Sequence, residues 1–208
     1  RAAQRIGGDA PSFAVHGSRG GVPVGLDHRR HWSMQLVSTV SNIGNNELHL
    51  APAAANLGLP DISSPFAHQE IAARLAKIKG VTPAIDCLGI CRMVNRENMT
   101  IMTQEVNAAT GWDVTWDEIA EVGTRAVNLL RAFSVRHGYT PEKEMPSPRY
   151  ASAPPDGPFQ GKSFLAVRDE MLDIFYRDMG WDRASGKPLP ETLKKLGLDY
   201  VIADLWKS

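Results

Sequence analysis

The sequence predicts a mostly α, irregular multi-helix domain with a short extended or hairpin portion near its start. Three observations carry the prediction. Apolar residues recur at helical spacing in separate stretches between residues 64 and 206. A capping box, Thr115-Trp116-Asp117-Glu118, opens the longest of them. Glycines and prolines, 18 and 14 of them, punctuate the chain where those stretches stop and start.

In chain order, RAAQRI reads as the last turns of a helix, because Ala and Arg are strong helix formers and Gly7-Gly8 suits the left-handed residue that ends one. With no N-cap or acidic first turn before it, this piece is expected to be the end of a helix that begins in a preceding domain. The expected division is therefore residues 1–15 as the end of that domain and 16–208 as a C-terminal helical, cofactor-binding domain. Phe13 to Val24, with FAVH and VPV around GSRGG, reads as a hairpin or two extended pieces. Residues 26–58 read as loops and short helical turns.

From Ser64 the helical signal strengthens. Pro65 suits a first helical position, and Phe66, Ile71, Leu75 and Ile78 form a stripe that stops before Gly80. A second block follows Pro83. Residues 97–109 place Met99, Met102, Val106 and Ala109 on one side of a third helix, closed by Thr110-Gly111. After the capping box, Ile119, Val122, Ala126, Leu129, Leu130 and Phe133 fall at helical spacing, and Gly138 ends what reads as a long core helix. Trp112 and Trp116 are expected to pack around its start. Residues 139–161 hold six prolines and read as an extended crossing segment. An amphipathic helix with Leu165, Leu172, Phe175 and Tyr176 follows, then a short pair, Glu191 to Leu196 and Tyr200 to Trp206.

Composition bounds the function. A chain of 208 residues buries enough surface to need no disulfide staples, and two cysteines would make a poor framework for them. Lys and Arg number 23, as do Asp and Glu, so no net field draws the chain to nucleic acid or to an anionic membrane. No apolar run approaches the roughly 20 residues of a membrane span, and the N-terminus lacks a secretory signal. The expectation is a soluble protein of a reducing compartment, the cytoplasm, with neither nucleic acid nor membrane as partner.

Asp86-Cys87-Leu88-Gly89-Ile90-Cys91 is the segment where acidic, thiol and glycine positions cluster. If it is helical, Cys87 and Cys91 lie four apart on one face and offer two thiolates, an incomplete metal site. If it is a turn entering a helix, Gly89 lets the backbone approach a ligand and leaves N–H groups to bind it, Asp86 accepts hydrogen bonds from a polar heterocycle, and a cysteine ligates an iron–sulfur cluster completed elsewhere. The plain alternative is two buried apolar cysteines with Asp86 as a helix cap.

The segment resembles the second pterin-binding motif, Asp-x-x-Gly-(Leu or Ile)-Cys, of the tungsten-containing aldehyde:ferredoxin oxidoreductase family, and DCLGIC matches every fixed position. The order of other features is similar to that family's C-terminal part: Asn107 to Trp112, Arg125 to Leu129 with Arg131-Ala132-Phe133, Arg136-His137-Gly138, Asp169 to Leu172, Gly180-Trp181-Asp182 and Leu193 to Leu198, with Arg1 to Gly7 and FAVH to Pro23 upstream. The resemblance covers nearly the whole chain.

That resemblance implies the C-terminal portion of an oxidoreductase carrying a tungsten or molybdenum bis-pterin and a [4Fe–4S] cluster. It implies that Asp86 hydrogen-bonds a pterin, that Gly89 and Ile90 give close backbone contact, and that Cys91 is the fourth thiolate of the cluster. Cys87, at a variable motif position, has no ligand role. His49 resembles the family's histidine near the metal that moves a proton or orients substrate, although the family's small-residue surroundings are replaced by SNIGNNELH. The implied reaction oxidises a small aldehyde to a carboxylic acid, with ferredoxin accepting electrons; a homodimer is compatible with it.

The family's C-x-x-C-x-x-x-C run and first pterin motif do not occur in these residues. Two cysteines cannot supply four thiolates, so the chemistry requires the N-terminal portion of the same enzyme, on the same chain or as a partner, and this piece is not expected to be active without it. The alternatives are an aryl-CoA reductase-type tungstoenzyme of the same family and a non-catalytic helical module with no metal. His28-Arg29-Arg30-His31 reads as a solvated basic loop, His16 and His68 as structural, Met93, Met99 and Met102 as core fillers, and Asp169, Glu170 and Asp173 as a solvated acidic face.

Overall fold

The computed structural model describes residues 1–17, 27–42, 59–91 and 98–206. Its regular elements are α1 (Ala2–Ile6), α2 (Ala10–Phe13), α3 (Trp32–Thr39), α4 (His68–Ile78), α5 (Val81–Cys87), α6 (Met99–Thr110), α7 (Trp116–Arg136), α8 (Pro148–Ala151), α9 (Arg168–Met179), α10 (Pro190–Lys195) and α11 (Asp199–Trp206). The class is mostly α, as expected. Among the described residues the one β feature is an isolated antiparallel bridge between Trp181 and Pro188.

The main core lies where α4 crosses α9 and α3, and where α5 lies along α7. Ile71, Leu75 and Ile78 of α4, the expected stripe, meet Met171, Leu172, Phe175 and Tyr176 of α9, all buried. Met99 and Met102 fill the core from α6, as read. A smaller core gathers Ala132 of α7 with Leu193, Leu196, Leu198, Val201 and Leu205 of the closing helix pair.

Local signals place most boundaries. Thr115 Oγ1 accepts from the Glu118 N–H while the Glu118 carboxylate accepts from the Thr115 N–H at 2.7 Å, the reciprocal capping box. Asn98 caps α6 by accepting from the Ile101 N–H at 3.1 Å, and Gly111, left-handed at φ 74°, closes it. Phe13, read as the start of an extended piece, instead closes α2; Ala14 beyond it is extended, and the rest of the expected hairpin, from Ser18, lies outside the described residues. Residues 32–39 hold more order than short turns: α3 buries Trp32, Leu36 and Val37. None of the described helices is long and apolar enough to cross a membrane.

The proline-rich segment crosses the molecule against a buried polar anchor. Arg131 of α7 is fully buried and donates to Glu144 Oε1 at 2.6 Å, to the Gly186 carbonyl at 2.7 Å and to the Tyr176 hydroxyl. Tyr176 in turn donates to Glu144 Oε2 at 2.7 Å, and the Arg131 guanidinium lies 4.4 Å from the Trp181 ring centroid. A buried charge is tolerable only when paired and fully hydrogen-bonded, and this one ties α7, α9 and the crossing segment together.

The orientation of α7 differs from its sequence reading. Its core face is Gly123, Val127, Asn128, Arg131 and Ser134, with Ile119 the one member of the expected stripe that is buried. Val122, Leu129, Leu130 and Phe133 are exposed, Phe133 at 62%. The stripe was the most apolar face, but the face bearing Gly123 is the one that lets α5 approach closely. Trp112 and Trp116 are likewise exposed, at 64% and 37%, rather than packed around the helix start.

Candidate functional site

α5 is a short helix whose inward face, Val81, Ala84 and Ile85, is buried and whose last residues reach the surface. It is held by contact of glycine with helix backbone. A Cβ on Gly123 would overlap the Gly80 carbonyl oxygen and lie 2.6 Å from Ala84 N, and a Cβ on Gly80 would lie 2.7 Å from Thr124 N. Neither glycine carried a sequence signal for this role beyond Gly80 as a helix boundary. The sequence contains no cue to which distant glycines meet.

The DCLGIC segment forms the exit of α5, and the residues that follow Cys91, 92–97, lie outside the described residues. The Gly89 N–H donates to the Asp86 carbonyl at 3.0 Å and the Ile90 N–H to the Ile85 carbonyl at 3.3 Å, with Gly89 left-handed at φ 69°. Those two bonds are the paired closure of a Schellman motif, and Ile90 packs back on the core as its apolar contact. The Gly89 and Ile90 N–H groups are therefore committed to the helix end, which corrects the reading in which the N–H groups here stay available to a ligand.

The surface the turn presents is open. Asp86, Cys87, Leu88, Gly89 and Cys91 are all exposed, and no atom lies within 4 Å of where a Gly89 Cβ would be. The plain alternative of two buried cysteines is ruled out by the exposure of both. What the turn offers is one carboxylate, one thiol of the motif, a second thiol four residues earlier and a flat glycine approach between them. That donor set fits one corner of an iron–sulfur cluster and one polar edge of a heterocycle. It does not fit a whole metal site: among the described residues no group of three or more His, Cys, Asp or Glu gathers where a metal ion could be held.

The remaining candidates fall into those described and those not. His49 lies outside the described residues, as does Met93. The basic cluster is not a solvated loop throughout: His28 is buried and stacks on Tyr150 with ring centroids 4.8 Å apart, and Arg29 clasps Asp27 with Nε 2.9 Å from Oδ1. That clasp holds the Asp27 carboxyl below its ordinary range. His68 Nε2 sits 2.9 Å from Glu170 Oε2, a link between α4 and α9 that agrees with its structural reading. Asp169 and Asp173 are exposed and paired with Arg183, at 3.7 and 2.7 Å.

Similarity to known proteins covers this architecture. The family model described as "Aldehyde ferredoxin oxidoreductase, domains 2 & 3" matches residues 1–198. A protein of Pyrococcus horikoshii named "Tungsten-containing aldehyde ferredoxin oxidoreductase" is 34% identical over 125 residues, 57% of this chain and 20% of the relative. Its namesake in Pyrococcus abyssi is 31% identical over 128 residues, 59% of this chain and 20% of that protein. A third, in Thermococcus kodakarensis, is 33% identical over 95 residues, 45% of this chain and 15% of that protein. The chain thus spans at most about a fifth of the length of these curated relatives.

Proposed function

The chain belongs to the aldehyde ferredoxin oxidoreductase family, and on that premise we propose that it is the C-terminal portion of a tungsten or molybdenum bis-pterin, iron–sulfur enzyme that oxidises a small aldehyde to a carboxylic acid. It works with the N-terminal portion of the same enzyme, in the cytoplasm, and with ferredoxin as the electron acceptor. When bound, the metal–pterin group supplies the two-electron redox chemistry by which an aldehyde and water yield a carboxylic acid, two electrons and two protons.

In this reading the chain's own residues hold and orient. Cys91, as a thiolate, is one iron ligand; the other three come from the rest of the enzyme. The Asp86 carboxylate accepts hydrogen bonds from a pterin edge. Gly89 contributes by lacking a side chain, so that a flat ring can lie against the turn, since its N–H is spent on the helix end. Ile90 anchors the turn to the core. His49 is proposed to orient substrate or to move a proton.

The observation that carries the proposal is the exposure of Asp86, Gly89 and Cys91 together on one rigidly closed turn, in a chain whose family match runs over residues 1–198. The test is anaerobic co-expression with the portion encoded upstream of Arg1. Cys91→Ala should lower the iron content of the purified complex while Cys87→Ala leaves it unchanged. Unchanged iron and pterin content in Cys91→Ala would overturn the assignment.

A further inference from the structure

One exposed flank of α7 is apolar although the inward face of the helix is already packed. Val122, Leu129, Leu130 and Phe133 are 45%, 43%, 39% and 62% exposed, while Gly123, Val127 and Arg131 of the same helix are buried. An apolar flank beside a face that is already packed is ordinarily covered by a further element of a larger body. The spacing of the ridge is specific as well. Val122, Ala126, Leu129 and Phe133 succeed one another by four, three and four residues, the alternation by which one helix seats a second along its length.

Beside the ridge runs a groove of about 600 Å³ between α7 and α11, floored by Leu129, Ala132, Val201 and Leu205. Arg136 and Asp204, 3.0 Å apart, stand on its rim with His137 and Tyr200. The rim carries both signs of charge and no basic cluster, which disfavours an anionic lipid surface as the occupant. An apolar helix with polar edges matches it.

We infer that this ridge and groove seat a helix contributed by the rest of the enzyme, the part of the family's architecture that lies beyond the region shared with this chain. The inference rests on the proposed function for the existence of that part, but not on any cofactor. Length supports the choice of occupant: the matched relatives are about five times longer than the region they share with this chain, and the additional chain must cover surface somewhere.

The experiment pairs the 208-residue chain with the tagged upstream portion in one cell and measures how much chain co-purifies. Leu129→Glu/Phe133→Glu places two charges on positions that are exposed in the chain alone, so the variant should keep the far-ultraviolet circular dichroism and thermal midpoint of the wild type. Its recovery with the upstream portion should fall at least about tenfold, as for loss of an aromatic anchor at the centre of an interface. Equal recovery of variant and wild type, or no recovery of wild type, would overturn the inference. So would sedimentation showing that the chain alone is a dimer that the double variant dissociates, which assigns the ridge to a second copy. Cys91→Ala, read for iron, separates this from the cofactor reading: if the variant co-purifies and keeps its iron, the cofactor assignment fails while the docking surface stands.

Discussion

The Gly80 carbonyl oxygen occupies the space that a side chain on Gly123 would need. This contact brings α5 onto α7 at backbone distance and so sets where the DCLGIC turn emerges. Adding a methyl group here is overpacking against backbone that has no rotamer to give. Gly123→Ala should destabilise the chain by about 1–3 kcal/mol or more, read from the urea midpoint. A variant as stable as wild type would show that α5 can shift freely, and the turn would then not be rigidly placed.

The Arg131–Glu144 pair is completely buried, at 2.6 Å. Removing one partner strands the other charge, so Glu144→Gln or Arg131→Met alone should cost about 3–5 kcal/mol. Replacing both with apolar residues should cost less than the sum of the two single changes. Additive losses in the double-mutant cycle would show that the two groups are not coupled.

Burial out of water, and after it the neighbouring Glu144 carboxylate, holds the Tyr176 phenol far above its ordinary 10.0, against the opposing pull of Arg131. A folded-state pKa raised above the unfolded value contributes stability that is fully present below about pH 10 and is lost as the medium becomes more alkaline. Tyr176→Phe should therefore leave the phenolate absorbance of the native protein unchanged and should differ from wild type only once the chain unfolds. A native titration step near pH 10 that disappears in Tyr176→Phe would contradict the burial.

At the start of α7, the Thr115 N–H and hydroxyl hold the Glu118 carboxyl below its ordinary 4.5. A depressed carboxyl contributes stability above that value, and the contribution is lost as pH falls through the lowered pKa. Thr115→Ala should cost about 0.5–2 kcal/mol near neutrality, the usual range for losing an N-cap. The gap from wild type should narrow in acid, measured by denaturant midpoints at pH 7 and pH 3. A gap independent of pH would mean that the bond from the Thr115 hydroxyl to the Glu118 carboxylate contributes nothing.

Both cysteines are exposed. Two thiols per chain should react with a colorimetric disulfide reagent in the native protein, falling to one in Cys91→Ala and in Cys87→Ala. Reaction only after denaturation would contradict the open turn.

Much of the helix pattern was legible because its causes are local. The capping box at Thr115, the left-handed glycine after α6, the stripe of α4 and the closing pair before and after Gly197 each follow from side chains within a turn or two of one another. The motif DCLGIC was legible as a cluster of chemical types, and its two local conformations could not be separated by composition. Composition carries no sign that the Gly89 and Ile90 N–H groups bond back into α5, because that depends on the backbone conformation at the glycine.

From the sequence alone came the helical class, the ends of α6, α7, α10 and α11 to within a residue or two, and the family resemblance, because these depend on residue type and short-range spacing. The tertiary structure decided which face of α7 is inward, that Gly80 and Gly123 meet, that Arg131 is an interior charge and that Cys91 stands in the open. These depend on which distant surfaces fit one another at backbone distance. Hydrophobic periodicity ranks faces by their affinity for water, but a glycine that permits close approach can outweigh a row of leucines in deciding which face is packed.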